Sequence, residues 1–331
     1  MCKRKENHER YDSKCKEEQE GRFYMNYILR TKHLHKCFKD TEVIKGVNIN
    51  IKKGEIYGFL GPNGAGKSTV MKMIMNLVQP SSGSVEIFGQ EIETDSIEFL
   101  KRVGAIIEQP IFYEKLTAKE NLKLHCEYMG YYDFKEIDRV LKLVNLKNIN
   151  KKAVGHFSLG MKQRLALARA ILTKPEILIL DEPINGLDPE GISEMRKLLK
   201  ALSREYGMTI MISSHILGEI EQIADTIGIL NEGRLIKEIS MKDVRQLEEA
   251  FTEIIVDDVE KALYLLESKL GIESLRMMNE QTIRIYDDSV TINQISKMLV
   301  THDVNIESIS QKRSSLEEYF LNLTKGEGIH V

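Results

Sequence analysis

The chain has 331 residues, room for about two domains, and is 42% hydrophobic and 29% charged, an ordinary globular balance. A formal net charge of −3 gives no global basic field for nucleic acid, and no apolar run reaches the ~18 residues of a membrane span. The start lacks an apolar signal core, and Cys2, Cys15, Cys37 and Cys126 show no C-x-x-C spacing, so they read as reduced cytosolic thiols, not a disulfide frame or zinc site.

Residues 1–24 are dominated by Lys, Arg and Glu, a composition that predicts a disordered, dispensable extension, with Met25 an alternative start. Patterned sequence begins at Tyr27-Ile28-Leu29-Arg30. Val43–Ile51 alternates and reads as strand, Lys53-Gly54 as a turn, and Ile56–Leu60 as a buried strand. Gly61-Pro62-Asn63-Gly64-Ala65-Gly66-Lys67-Ser68-Thr69 follows and matches G-x-x-x-x-G-K-[ST]; the run from Lys67 to Met75 reads as a helix. Glycines let backbone N–H groups turn inward around phosphates, and the helix N-terminus adds a favourable dipole. Lys67 would meet the β- and γ-phosphates, and Ser68 would hold Mg²⁺.

Ser84–Phe88 and Val103–Ile107 read as strands, the second ending near Gln109. Thr117-Ala118-Lys119-Glu120 is a capping box opening a helix to about Met129. Phe134–Val144 and Lys162–Leu172 read as helices, with Ser158 an N-cap type before the latter. Ile177–Leu180 and Thr209–Ser213 are continuous apolar runs typical of central parallel strands. Strands and helices alternating around a phosphate loop predict an α/β domain over 25–245. From about 246 to 325 the pattern changes to a small α+β domain: strand 251–256, helix 259–270, hairpin 274–286 turning at Asn279-Glu280, helix 292–300 and strand 304–310. An amphipathic helix over Leu316–Leu323 closes it, before a tail at 326–331.

Three strand ends carry candidate chemistry. Asp181 and Glu182 end the Ile177–Leu180 run; Asp181 fits a magnesium carboxylate and Glu182 a base beside water, or both are an ordinary acidic strand end. Gln109 could touch metal and water, or be a solvated amide. His215 follows Ser213-Ser214 and could reach a γ-phosphate, or be structural. Ser158 and Gly160 open a helix without an acid in its first turn, an anion site or a plain cap.

Taken in order, the phosphate loop, Gln109, Ser158-Leu159-Gly160, Asp181-Glu182, Asn185-Gly186-Leu187-Asp188 and His215 resemble the nucleotide-binding subunit of an ATP-binding cassette (ABC) transporter, over about 27–240. The variant Ser-Leu-Gly-Met-Lys-Gln-Arg, the stretch Pro110–Leu122 and the tail Leu316–Leu321 are similar to the bacterial single-cassette exporters of bacitracin and lantibiotic peptides. The resemblance implies a RecA-like core with a helical subdomain. It implies ATP held by Phe38, stacked on adenine, and by Gly61, Asn63, Gly64, Gly66, Lys67, Ser68 and Thr69. Mg²⁺ would be held by Ser68, Gln109 and Asp181, with Glu182 polarising water and His215 steadying the γ-phosphate. Ser158, Gly160 and Asp188 would act across a head-to-tail pair of cassettes, most simply a homodimer. The family usually reads Leu-Ser-Gly-Gly-Gln where this chain has Phe157-Ser158-Leu159-Gly160-Met161, which adds bulk at Leu159 and removes an amide at Met161.

The resemblance further implies ATP hydrolysis that powers a separate polytopic permease. The chain would then lie on the inner face of the cell membrane and dock through about 112–157. Soluble relatives of translation-factor type carry two cassettes, and chromosome-maintenance types carry a long heptad insertion; this chain has one phosphate loop and no heptad run.

Overall fold

The computed structural model describes residues 27–313 except 147–150, 248–249 and 288. The expectations for 1–24, for the helix Leu316–Leu323 and for 326–331 lie outside the described residues. The chain divides into two units between Met241 and Lys242.

In the first unit, β1 (Tyr27–Phe38) and β2 (Thr41–Val47) pair antiparallel, with β3 (Asn50–Lys52) on β1. After β4 (Ile56–Leu60) and α1 (Lys67–Ile74), β5 (Ser82–Ile87) returns to pair with β1, and β6 (Gln90–Glu91) closes that sheet. β5 alternates buried and part-open positions over Ser84–Ile87, as one covered face requires. A second sheet is built around β4, which is buried at every position. It takes β7 (Val103–Ile106), β8 (Ile177–Leu180), β9 (Thr209–Ser214), β10 (Thr226–Asn231) and β11 (Arg234–Ser240). Their order is β11-β10-β4-β9-β8-β7, all parallel except β11. Leu29, Leu34 and Ile51 of the first sheet share one core with Tyr57, Phe59, Ile179 and Met211 of the second and with Met71 and Ile74 of α1. Each fully buried side chain of this size contributes about 1.5–3 kcal/mol.

Between β7 and β8 lies a helical region. α2 (Ala118–Met129) starts on the Thr117–Glu120 capping box, with both reciprocal bonds made, and stops at Gly130 in the left-handed region. α3 (Lys135–Leu143) and α4 (Leu159–Ile171) pack with it. α4 opens at Leu159, three residues before the expected Lys162, because the Ser158 side chain accepts from the Met161 N–H and fixes the first turn there. Beyond β8 the described residues carry elements that the sequence expectations lacked. The hairpin β10–β11 turns at Glu232-Gly233, and α5 (Pro189–Arg204) is capped by Asp188 with proline in its first turn. α6 (Leu217–Glu221) follows β9, and α7 (Met241–Leu247) follows β11.

The second unit runs β12 (Ala250–Val256), α8 (Val259–Leu270), β13 (Leu275–Met277), β14 (Thr282–Ile285), α9 (Ile292–Thr301) and β15 (Ile306–Arg313). This β-α-β-β-α-β order gives an antiparallel sheet β13-β14-β12-β15. Ile254, Val256, Ile283 and Ile285 face Leu265, Leu266, Ile295 and Leu299 of the helices. β15 begins two residues after the expected Val304, which is buried against that core, its N–H bonded to the Leu299 carbonyl.

Candidate nucleotide site

The sheet order β4-β9-β8 sets three strand ends side by side, and the candidate residues sit just past them. Beyond β4, the loop 61–66 turns into α1 through Gly66, whose φ of 106° suits glycine. A side chain at Gly66 would meet Ile44 at 2.5 Å, and one at Gly61 would meet the Leu230 carbonyl oxygen at 2.3 Å. The glycines therefore let the loop lie close against β2 and β10. α1 has no acid in its first turn and no side-chain cap. Asn63 and Gly64 are exposed at the loop tip, and Ser68 and Thr69 are half-buried in the first turn.

Lys67 is only 6% exposed. Its ammonium donates to the Gly61 carbonyl at 2.7 Å and the Pro62 carbonyl at 3.2 Å, and lies 3.3 Å from Oε1 of Glu182. The other Glu182 oxygen, Oε2, is 3.0 Å from Nδ1 of His215, which projects from the loop after β9. One carboxylate thus joins a lysine from the phosphate loop to a histidine from another strand end. Asp181 is buried, and its Oδ1 accepts from the Ser213 hydroxyl at 2.6 Å. The same hydroxyl accepts from the Glu182 N–H at 2.9 Å. Sequence reasoning missed Ser213; the signal was two hydroxyls, Ser213 and Ser214, following the apolar run Ile210–Ile212 in a fully buried strand.

Among the described residues no hydrogen bond or ion pair ties the other expected residues to this cluster. Gln109 is exposed just past β7. Phe38 is 46% exposed at the end of β1, with the Lys36 ammonium 5.0 Å from its ring centre. Ser158 and Gly160 open α4, and Asp188 caps α5 through the Gly191 N–H. Among the described residues no hydrogen bond or ion pair links Ser158 or Asp188 to the phosphate loop. Leu159, the bulky departure in this segment, turns its Cδ2 toward Gly186 in its own chain, where an added Cβ would come within 2.8 Å of it.

A second feature lies in the helical region. A cavity of about 380 Å³ is lined by Ile111, Phe112, Tyr113, His125, Tyr128 and Arg169, among others. Ile111, Tyr113 and Tyr128 are exposed around it. Arg169 donates to the Ile111 carbonyl at 3.0 Å and lies 4.8 Å from the Phe112 ring centre, and no described carboxylate pairs with it. Burial, and then the charge of Arg169, hold the His125 imidazole down to about 4, so it is neutral near pH 7. Buried Asn121 pins the rim by donating to the carbonyls of Tyr113 and Thr117. Among the described residues no helix is long and apolar enough to cross a membrane.

Comparison with known proteins gives one consistent result. A family profile described as ABC transporter matches residues 44–185. An uncharacterized ABC transporter ATP-binding protein of Bacillus subtilis, YcbN, is 55% identical over 305 residues, 92% of this chain and 99% of its own. The bacitracin transport ATP-binding protein BcrA of Bacillus licheniformis is 43% identical, covering 91% of this chain and 99% of its own. The lantibiotic transport ATP-binding protein SrtF of Streptococcus pyogenes is 44% identical over 229 residues, 69% of this chain and 98% of its own. Nearly a third of this chain therefore has no counterpart in SrtF. Among solved structures, an ATP-binding subunit of an ABC transporter superposes with a TM-score of 0.59 at 31% identity, over 66% of this chain and 92% of its own. A dimeric post-hydrolysis cassette bound to ADP and Pi superposes with a TM-score of 0.59 at 28% identity, over 64% of this chain and 98% of its own.

Proposed function

The chain belongs to the ATP-binding subunits of ABC transporters, ATPases that drive transport, and on that premise we propose that it powers export of a peptide antibiotic or similar amphiphile through a separate membrane permease. The observation that carries this reading is the convergence of Lys67, Glu182 and His215 at the mouth of the phosphate loop. The relatives named for bacitracin and lantibiotic transport favour the peptide class over other cargo. A soluble translation or repair role is not favoured by these relatives.

The donor set suits the proposed substrate and metal. The glycine turn and the uncapped N-terminus of α1 offer N–H groups and a positive dipole to phosphate oxygens. Ser68, Gln109 and Asp181 offer hard oxygens for Mg²⁺, which would offset phosphate charge. Among the described residues no cluster of three carboxylates, histidines or cysteines forms a cage, and Mg²⁺ is usually held by one or two carboxylates with phosphates and water. Lys67 meets the β- and γ-phosphates, exchanging its contact with Glu182 for them. Glu182, released from the ammonium, orients and deprotonates the attacking water, and His215 steadies the γ-phosphate. Phe38 offers its exposed face to adenine. Ser158, Gly160 and Asp188, not bonded to the loop of their own chain, serve the site of a second copy. ATP then closes a homodimer and hydrolysis reopens it.

The groove beside Arg169 is the docking surface for the permease, at the inner face of the membrane. Its apolar rim and half-buried cation suit a short helix presenting an apolar side chain and a carboxylate. Arg169→Glu is expected to weaken association with the membrane partner by roughly a hundred-fold or more, since reversing a partly desolvated charge costs about 3 kcal/mol or more and each 1.4 kcal/mol is ten-fold. ATP affinity should not move. Co-purification from detergent-solubilised membranes, beside titration with a fluorescent ATP analogue, checks both; unchanged co-purification would contradict the assignment.

The second unit has no phosphate loop, and SrtF has no counterpart for nearly a third of the chain. It therefore regulates or stabilises assembly and does not catalyse. A chain ending near residue 245 is expected to bind the ATP analogue with wild-type affinity while dimerisation or transport changes. A folded truncation that no longer binds would place part of the site in the second unit.

A further inference from the structure

We infer that Ser213 is a positioning residue for hydrolysis, whose single hydroxyl fixes the Asp181 carboxylate and the Glu182 backbone relative to one another. The inference rests on the reading of Asp181 as a magnesium carboxylate and Glu182 as the base. Ser213 is 1% exposed, near the end of β9, beside β8 in the sheet. Its two bonds have fixed senses. The Glu182 N–H can only donate, so Oγ accepts it at 2.9 Å. The hydroxyl proton is then directed to Oδ1 of Asp181 at 2.6 Å, a charge-assisted bond.

The backbone explains why this matters. Glu182 has φ of 47°, a left-handed conformation that is uncommon for a residue with a side chain and costs energy to hold. That turn sends the Glu182 carboxylate sideways to Lys67 and His215, while Asp181 stays buried at the strand end. The Ser213 bond grips the turn at its N–H and, through the same atom, sets the rotation of the Asp181 carboxyl group. Two adjacent acids are thus held on divergent headings from a third residue 31 positions away in sequence from Glu182. The flanking β9 residues cannot do this. Ile212 is apolar, and the Ser214 hydroxyl accepts from the Ile216 N–H instead.

The test compares Ser213→Ala and Ser213→Thr in the full chain. Ser213→Ala removes both bonds with a loss of one oxygen, and Ser213→Thr keeps the hydroxyl in a strand that accepts β-branched residues. For Ser213→Ala, kcat is expected to fall roughly ten-fold, the scale of one lost hydrogen bond to a charged group. Its affinity for a fluorescent ATP analogue without Mg²⁺ should equal wild type, whereas the tightening on adding Mg²⁺ should shrink. Ser213→Thr should restore both readouts. Wild-type kcat and metal response in Ser213→Ala would overturn the inference, as would equal losses of metal-free affinity and kcat with a lowered melting temperature, which mark a merely structural role. Asp181→Asn and Glu182→Gln run in parallel separate the two levels. If those variants hydrolyse normally, the underlying reading fails; if they are inactive while Ser213→Ala is normal, only the role of Ser213 fails.

Discussion

Lys67→Ala is expected to weaken ATP binding by on the order of a hundred-fold and to abolish turnover. The ammonium is 6% exposed and held at the loop mouth by two carbonyls and by Glu182. A group in that position meets polyphosphate charge in a partly desolvated setting, where losing one partner costs about 3 kcal/mol or more, and each 1.4 kcal/mol is ten-fold. No other described lysine or arginine is bonded to the loop carbonyls, so the charge has no local substitute. The fold should survive, because β4 and α1 are fixed by the apolar core around Phe59, Met71 and Ile74. Titration with a fluorescent ATP analogue, with circular dichroism as the folding control, reads the effect. Normal turnover by a folded Lys67→Ala chain would remove the phosphate-loop assignment.

Glu182→Gln is expected to keep ATP affinity and to reduce hydrolysis by roughly 10² to 10⁴, the usual contribution of a general base. The amide retains the size of the side chain and a bond to His215, but it cannot take a proton from water. Binding without hydrolysis should trap the closed pair, so light scattering with Mg-ATP should report a dimer where the wild type cycles back to monomer. A Glu182→Gln chain that stays monomeric and hydrolyses at the wild-type rate would contradict both the base and the closure.

The parts of this site that are local in sequence could be read from it. The phosphate loop is one contiguous turn, the capping box spans four residues, and β4 and β8 are unbroken apolar runs, so each announces itself within a short window. The relations between strand ends could not be read. Lys67, Glu182 and His215 meet because β9 inserts between β4 and β8, an order that long-range packing decides. Each residue could be assigned a separate task, but the ion pair that holds Glu182 against Lys67 has no signature along the chain. Ser213 is hidden for the same reason, since its two partners belong to a different strand. The β10–β11 hairpin escaped a period-two reading because β10, paired on both sides, is buried at four successive positions and β11 is largely open, so neither strand alternates. The signature departure shows the opposite limit. Leu159 reads as added bulk at an interface, and it is 47% exposed, yet its Cδ2 also turns to Gly186 of its own chain.

We propose that nucleotide hydrolysis at Lys67 and Glu182 drives a membrane permease. The most direct measurement is isolation of the tagged chain from detergent-solubilised membranes of its own cells, with Mg-ATP hydrolysis measured on the eluate. A polytopic membrane protein is expected in fixed ratio to the chain, with an ATPase activity lost in the Lys67→Ala version. An eluate in which the chain hydrolyses ATP at full rate alone, or with ribosomal or chromosomal proteins in place of a membrane protein, would contradict it.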